Sequence, residues 1–190
     1  METNRFETFI DAIIAIIITV LVLKINQPAE PTLSAIWELR LSYLAYLSSF
    51  LILFNLWYNN HIIFQKIDNI DNSVVWIYGM MTFMISLVPY FTMWVANNVD
   101  SMAAETMFGL LFVITNILYI SSIKAIYRSN PHNCFLQKTN KMASYQFSPM
   151  IIIFLGFILT YTIYRPGIYI CCLIAVIMWI IIGWRTDNGD

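Results

Sequence analysis

Asp11 is the residue whose surroundings demand chemistry. It precedes the uncharged run Ala12–Leu23 and follows Arg5 by six positions. A carboxylate one to two turns inside a membrane-length helix needs a cation or hydrogen-bond donors, unless it lies in the interface and is simply wet. Arg5, Trp57, Asn60 and His61 are the candidate partners, because a second apolar helix running back across the bilayer brings Trp57–His61 to a comparable depth. A lone histidine is more often a structural group than a ligand or proton relay. His132, the other histidine, sits on a different connection, so neither a metal site nor a cofactor is expected.

A second set is apolar. Ile16, Thr19 and Leu23 are spaced by three and four, which lines them along one helix face. Asp11 lies five residues before Ile16, about 140° round the helix. The carboxylate and the Ile16 stripe therefore face different things. If Asp11 faces the bundle, the stripe is left to lipid or another subunit; periodicity alone favours plain lipid contact or core packing. No nucleotide-binding loop, HExxH or Ser/His/Asp set occurs in the sequence, so an enzyme is not expected. No span carries an arginine ladder for voltage sensing, and no TVGYG-like segment could form a carbonyl-ring filter.

The elements that must carry these groups are legible from composition. Of 190 residues, 59% are apolar and 11% charged, and the mean hydropathy is +0.70. Soluble domains carry about 25% charged residues. A hydrocarbon core of roughly 30 Å takes about 20 apolar residues in a helix. Stretches without Asp, Glu, Lys or Arg predict an all-α integral membrane protein with six spans, near 5–26, 41–64, 74–97, 105–127, 143–164 and 166–185. The first reads as a span rather than a signal peptide, since no small-x-small cleavage site follows Leu23.

With the N-terminus cytoplasmic, Arg5, Lys66, Lys124, Arg128, Lys138, Lys141 and Arg185 lie inside, and Lys24, Arg40 and Arg165 outside. That bias satisfies the positive-inside rule and places both termini in the cytoplasm. The basic loop 124–141 dominates it, with lipid contact as a second use, and an acidic loop, Asp100–Glu105, lies outside. Pro28 and Pro31 are expected to end the first helix, and Pro89 to kink or break the third. Trp37, Trp94, Tyr127 and Trp184 fall near span ends, as belt residues do. Cys134 sits in a polar loop, and the adjacent Cys171 and Cys172 read as small apolar fillers. A net charge of −1 speaks against nucleic acid as a partner.

The stretch Arg5-Phe6-Glu7-Thr8-Phe9-Ile10-Asp11 resembles the RxxxFSD signature that opens the first helix of the transmembrane protein 175 potassium channels. Arg5, Phe9 and Asp11 keep the signature spacing, while Ile10 stands where it has serine, which removes one hydroxyl from the polar network. Trp57-Tyr58-Asn59-Asn60-His61 and Ser86-Leu87-Val88-Pro89 are also similar to that family. The likeness covers roughly the first half by motif and the rest by topology.

The resemblance implies a homotetramer in the plasma membrane whose permeant ion is potassium, with four copies of the first helix around the pore. By position it makes Ile16 the apolar constriction, Leu23 a further pore-facing site and Thr19 a hydroxyl ring favouring potassium over sodium. Arg5, Asp11, Trp57 and His61 become a network between helices or subunits. Proton conduction is a close variant on the same resemblance. A small secondary transporter and a non-conducting scaffold are the other classes, and substitution of Ile16 separates them.

Overall fold

The protein is described by a computed structural model covering residues 3–67, 70–133, 135–137 and 147–187. Cys134, Lys138 and Lys141, and the side chains of Trp184 and Arg185, lie outside the described residues. The principal helices are α1 (Thr3–Leu23), α2 (Leu33–Glu38), α3 (Arg40–Phe64), α4 (Asn72–Ser86), α5 (Val88–Asn97), α6 (Met102–Ser129), α7 (Phe147–Thr162) and α8 (Gly167–Asp187). No strand occurs among the described residues. Among the described residues, four helical stretches have the length and apolarity of a membrane crossing: α1, α3, α4 with α5, and α6. Shorter apolar stretches lie in α7 and α8, at Pro149–Thr162 and Gly167–Ile180. With no water in a bilayer core, such segments must satisfy their backbone internally, which helices do.

Boundaries differ from expectation where polar groups intervene. The first span was expected to reach residue 26, yet α1 ends at Leu23, five residues before Pro28. The Lys24 and Ile25 N–H groups turn back to the Leu21 and Val22 carbonyls at 3.3 and 3.2 Å. Lys24, Asn26 and Gln27 gain nothing from continuing an apolar helix, so the chain turns before proline forces it. Beyond the turn, the unanticipated α2 starts from Thr32, whose side chain accepts from the Ala35 N–H. The expected break at Pro89 is found. Proline lacks an N–H and its ring clashes with the carbonyl four residues back, so the helix divides at Leu87 and Pro89 occupies the first turn of α5. Just beyond the break, Ser49 and Thr92, both fully buried, hydrogen-bond at 2.7 Å and tie α5 to α3.

Two cores hold the bundle. In the first, Phe6, Ile10, Ile14, Ile17 and Leu21 of α1 pack against α3 and α4. At its centre the Phe6, Phe64 and Tyr78 rings form a trio, with centroids 5.7, 5.6 and 5.2 Å apart. The two Phe6 contacts are edge-on, as ring quadrupoles prefer. The second core gathers Phe108 and Phe112 of α6, Val95 of α5, Ile153 of α7, and Ile168, Cys172 and Val176 of α8. Here α7 and α8 meet backbone to backbone. A Cβ added at Gly156 would lie 2.8 Å from Cys171 Cβ and 3.1 Å from Ile168 Cα. Only glycine fits that approach, a common way for membrane helices to pack.

Glu105 was expected in an acidic outer loop; it is instead in the first turn of α6 and fully buried. Its Oε2 accepts from the Tyr169 N–H at 2.8 Å. Thr160 Oγ1 accepts from the Ile168 N–H, also at 2.8 Å. The Gly167 and Ile170 N–H groups reach the Tyr164 and Pro166 carbonyls at 3.0 and 3.1 Å. Every donor of the first turn of α8 is thus satisfied, with a carboxylate at the positive end of the helix dipole. The helix around Glu105 is longer than the expected 105–127, so Lys124 and Arg128 lie on α6 rather than in a loop.

Replacing Glu105 by leucine strands a buried N–H and is expected to cost about 1–3 kcal/mol, whereas Glu105→Gln keeps an acceptor and costs less; thermal denaturation in detergent measures both. Phe6→Ala is expected to cost about 3–5 kcal/mol in the same assay, because it empties the ring trio. Phe9→Ala, at a side chain 60% exposed, should leave subunit stability within about 0.5 kcal/mol.

Candidate functional site

At 100° per residue the surface of α1 divides into three faces. Phe6, Ile10, Ile14, Ile17 and Leu21 form the buried one. Opposite it, Arg5, Phe9, Ala12, Ile16, Thr19 and Leu23 advance by alternate steps of four and three and stay within about 80° of arc. All six are exposed; Ile16 is 61% and Leu23 79% accessible. The three residues singled out as pore-facing therefore share an open, mostly apolar surface that none of the described helices of the subunit covers. Thr19 donates its hydroxyl to the Ile16 carbonyl at 2.7 Å, which leaves the lone pairs of Oγ1 directed away from its own backbone.

The third face carries Glu7 and Asp11, four residues apart and so nearly superposed. It meets the inner end of α3. His61 Nδ1 lies 2.7 Å from Glu7 Oε1, and its Nε2 lies 2.8 Å from the amide nitrogen of Gln65. The Trp57 indole stacks on the imidazole, 5.6 Å between centroids and 11° from parallel, and its side chain is placed to hydrogen-bond the Asp11 carboxyl. Asp11 Oδ1 is buried with no hydrogen-bond partner.

Of the candidate partners for Asp11, the structure brings Trp57 and His61 to it. Asn60 turns the other way: it is fully buried and accepts from the Tyr78 hydroxyl at 3.2 Å. Arg5 stands on the open face, about 120° from Asp11, so within one subunit it is apart from the other three. Glu7 takes its place. The sequence does hold a signal for it, since acids at positions 7 and 11 share a face, but that signal is visible only once His61 is known to lie opposite. Ile10, where the resembled signature has serine, is fully buried among apolar side chains and has no call for a hydroxyl. The expectation of no metal site rested on two separated histidines. The structure instead brings one histidine to two carboxylates, with ligand-type atoms of Glu7, Asp11 and His61 all within 4.8 Å of one another.

Residues 5–89 match the family model described as endosomal/lysosomal potassium channel TMEM175. A potassium channel of Chryseobacterium sp. (strain P1-3) is 26% identical over 189 residues, covering 100% of this chain and 98% of its own length. A potassium channel of Chamaesiphon minutus is 30% identical over 127 residues, 62% of this chain and 63% of that one. The crystal structure of a lysosomal potassium-selective channel TMEM175 homolog from Chamaesiphon minutus superposes with a TM-score of 0.80. Its identity is 23%, and the match covers 94% of this chain and 96% of the other. The stretch that the family model describes is the one holding the Arg5–Asp11 signature, the Trp57–His61 segment and the Pro89 break, and over it this chain is similar to the TMEM175 potassium channels, whose fold it shares along nearly its whole length.

Proposed function

We propose that the protein is a potassium channel whose pore is lined by the open face of α1, contributed by four copies of the chain. Relatives bearing the name potassium channel support the ion, and the likeness along the whole chain supports a channel rather than an enzyme. One observation carries the rest. The face with Arg5, Phe9, Ala12, Ile16, Thr19 and Leu23 is uncovered, while the opposite face of the same helix is fully packed.

Four Ile16 side chains meeting near the middle of α1 would expel water and block ions, so conduction requires the α1 helices to separate or turn. One turn further out, four Thr19 oxygens would replace part of the hydration shell of an ion, which favours the more weakly hydrated potassium over sodium. Leu23 narrows the outer end. Neither a carbonyl-lined filter nor a voltage sensor is needed for this design. Six spans rest on the charge-free runs, cytoplasmic termini on the cation distribution and a plasma-membrane location on the likeness to the prokaryotic channels, with Arg5 available to a neighbouring copy.

A secondary transporter would hold its substrate inside the subunit. The cavity between α3, α6 and α8 is lined by Ile52, Leu56, Phe112, Asn116 and Val176, among others, and by no carboxylate, imidazole or cation. That lining suits neither an ionic substrate nor a coupling ion.

Liposomes holding purified protein under a potassium gradient provide the test. Ile16→Asn is expected to raise potassium flux at least about tenfold, a barrier change of about 1.4 kcal/mol, with potassium flux exceeding sodium flux. Absence of flux from both proteins, with tetramers verified by cross-linking, would exclude the channel.

A further inference from the structure

We infer that Glu7, Asp11 and His61 form a binding site for a divalent transition cation of the zinc class, bridging α1 and α3. The inference stands apart from ion conduction and rests on charge, unmet bonding capacity and donor chemistry.

Charge comes first. Glu7 and Asp11 are like-charged neighbours four apart on one helix, an arrangement that repels. Both face one imidazole, that of His61. Arg5, the cation closest in sequence, points to the open face of α1. Bonding capacity comes second. Asp11 Oδ1 is buried and has no partner, a cost in a low-dielectric setting that a cation removes. Within the subunit the site is not sealed, since the His61 side chain is 37% and the Glu7 side chain 16% exposed.

Donor chemistry selects the ion. One imidazole nitrogen and two carboxylate oxygens suit zinc and its first-row neighbours, whereas magnesium and calcium prefer oxygen alone. In a tetrahedral site with bonds of about 2.0–2.1 Å, ligand atoms stand about 3.3 Å apart. The present spread, within 4.8 Å, closes by side-chain rotation, and water completes the shell. The supporting groups are in place. With the Gln65 amide nitrogen 2.8 Å from His61 Nε2, the tautomer that fits the metal-free site carries the ring proton on Nδ1, facing Glu7. When Nδ1 takes the metal, that proton moves to Nε2 and the Gln65 amide, turned over, accepts it with its oxygen. Stacking on Trp57 holds the ring plane throughout.

Titration of zinc chloride into chelator-treated full-length protein in detergent, followed by calorimetry, tests the site. One zinc per chain is expected, with affinity at least about tenfold lower in both Glu7→Gln and His61→Gln and unchanged in His132→Ala. X-ray absorption at the zinc edge of the His132→Ala protein, in which His61 is the remaining histidine, should show one imidazole, oxygen and no sulfur. This spectrum decides the matter even where a binding-site variant fails to fold. The site is refuted if the unaltered protein takes up no zinc, if either binding-site variant binds as tightly as the unaltered protein, or if the spectrum shows sulfur or lacks imidazole.

Discussion

A helix with 3.6 residues per turn and apolar side chains nearly all round must share its surface among several neighbours, and α1 does so in three parts. Five large side chains, Phe6, Ile10, Ile14, Ile17 and Leu21, lock it to α3 and α4. Glu7 and Asp11 meet the polar inner end of α3. The remaining third is left bare from Arg5 to Leu23. Because these faces are set by one rigid period, the packed face dictates where the bare one points. The Phe6, Phe64 and Tyr78 trio therefore governs the orientation of Ile16 and Thr19 without touching either.

Polar groups are placed where a helix end or a helix crossing gives them work. Glu105 and Thr160 close the buried N-terminus of α8, whose first-turn donors find no water inside a bundle. Ser49 and Thr92 join α3 to α5 next to the Pro89 break. At the inner end of α1, Trp57 both stacks on His61 and faces Asp11, so one side chain fixes two polar neighbours. These contacts lie at different levels of the bundle and hold different helix pairs. The glycine approach at Gly156 adds a fourth tie, made by shape alone.

Much of this was legible in the chain. Charge-free runs marked the apolar helices, and Pro89 marked the break, because a missing N–H acts locally. The angle between Asp11 and Ile16 follows from spacing alone, and the structure indeed sets one against α3 and leaves the other bare. Arg5 was grouped with Asp11 because charge suggests partners; helical geometry separates them by about a third of a turn.

What escaped the sequence depends on contacts between distant segments. Glu7 acquires a role only when α3 brings His61 to it, 54 positions away. Glu105, 64 positions from Tyr169, looked like a solvated loop acid until α8 placed its bare N-terminus against it. Gly156 looks like any helical glycine until the α8 backbone arrives within reach of its missing Cβ. Composition and period determined which segments are helices and which residues share a face, because both are properties of a single helix. Only the tertiary structure decided which face is covered and which buried polar atom meets a donor, because those depend on a second helix whose approach no local spacing encodes.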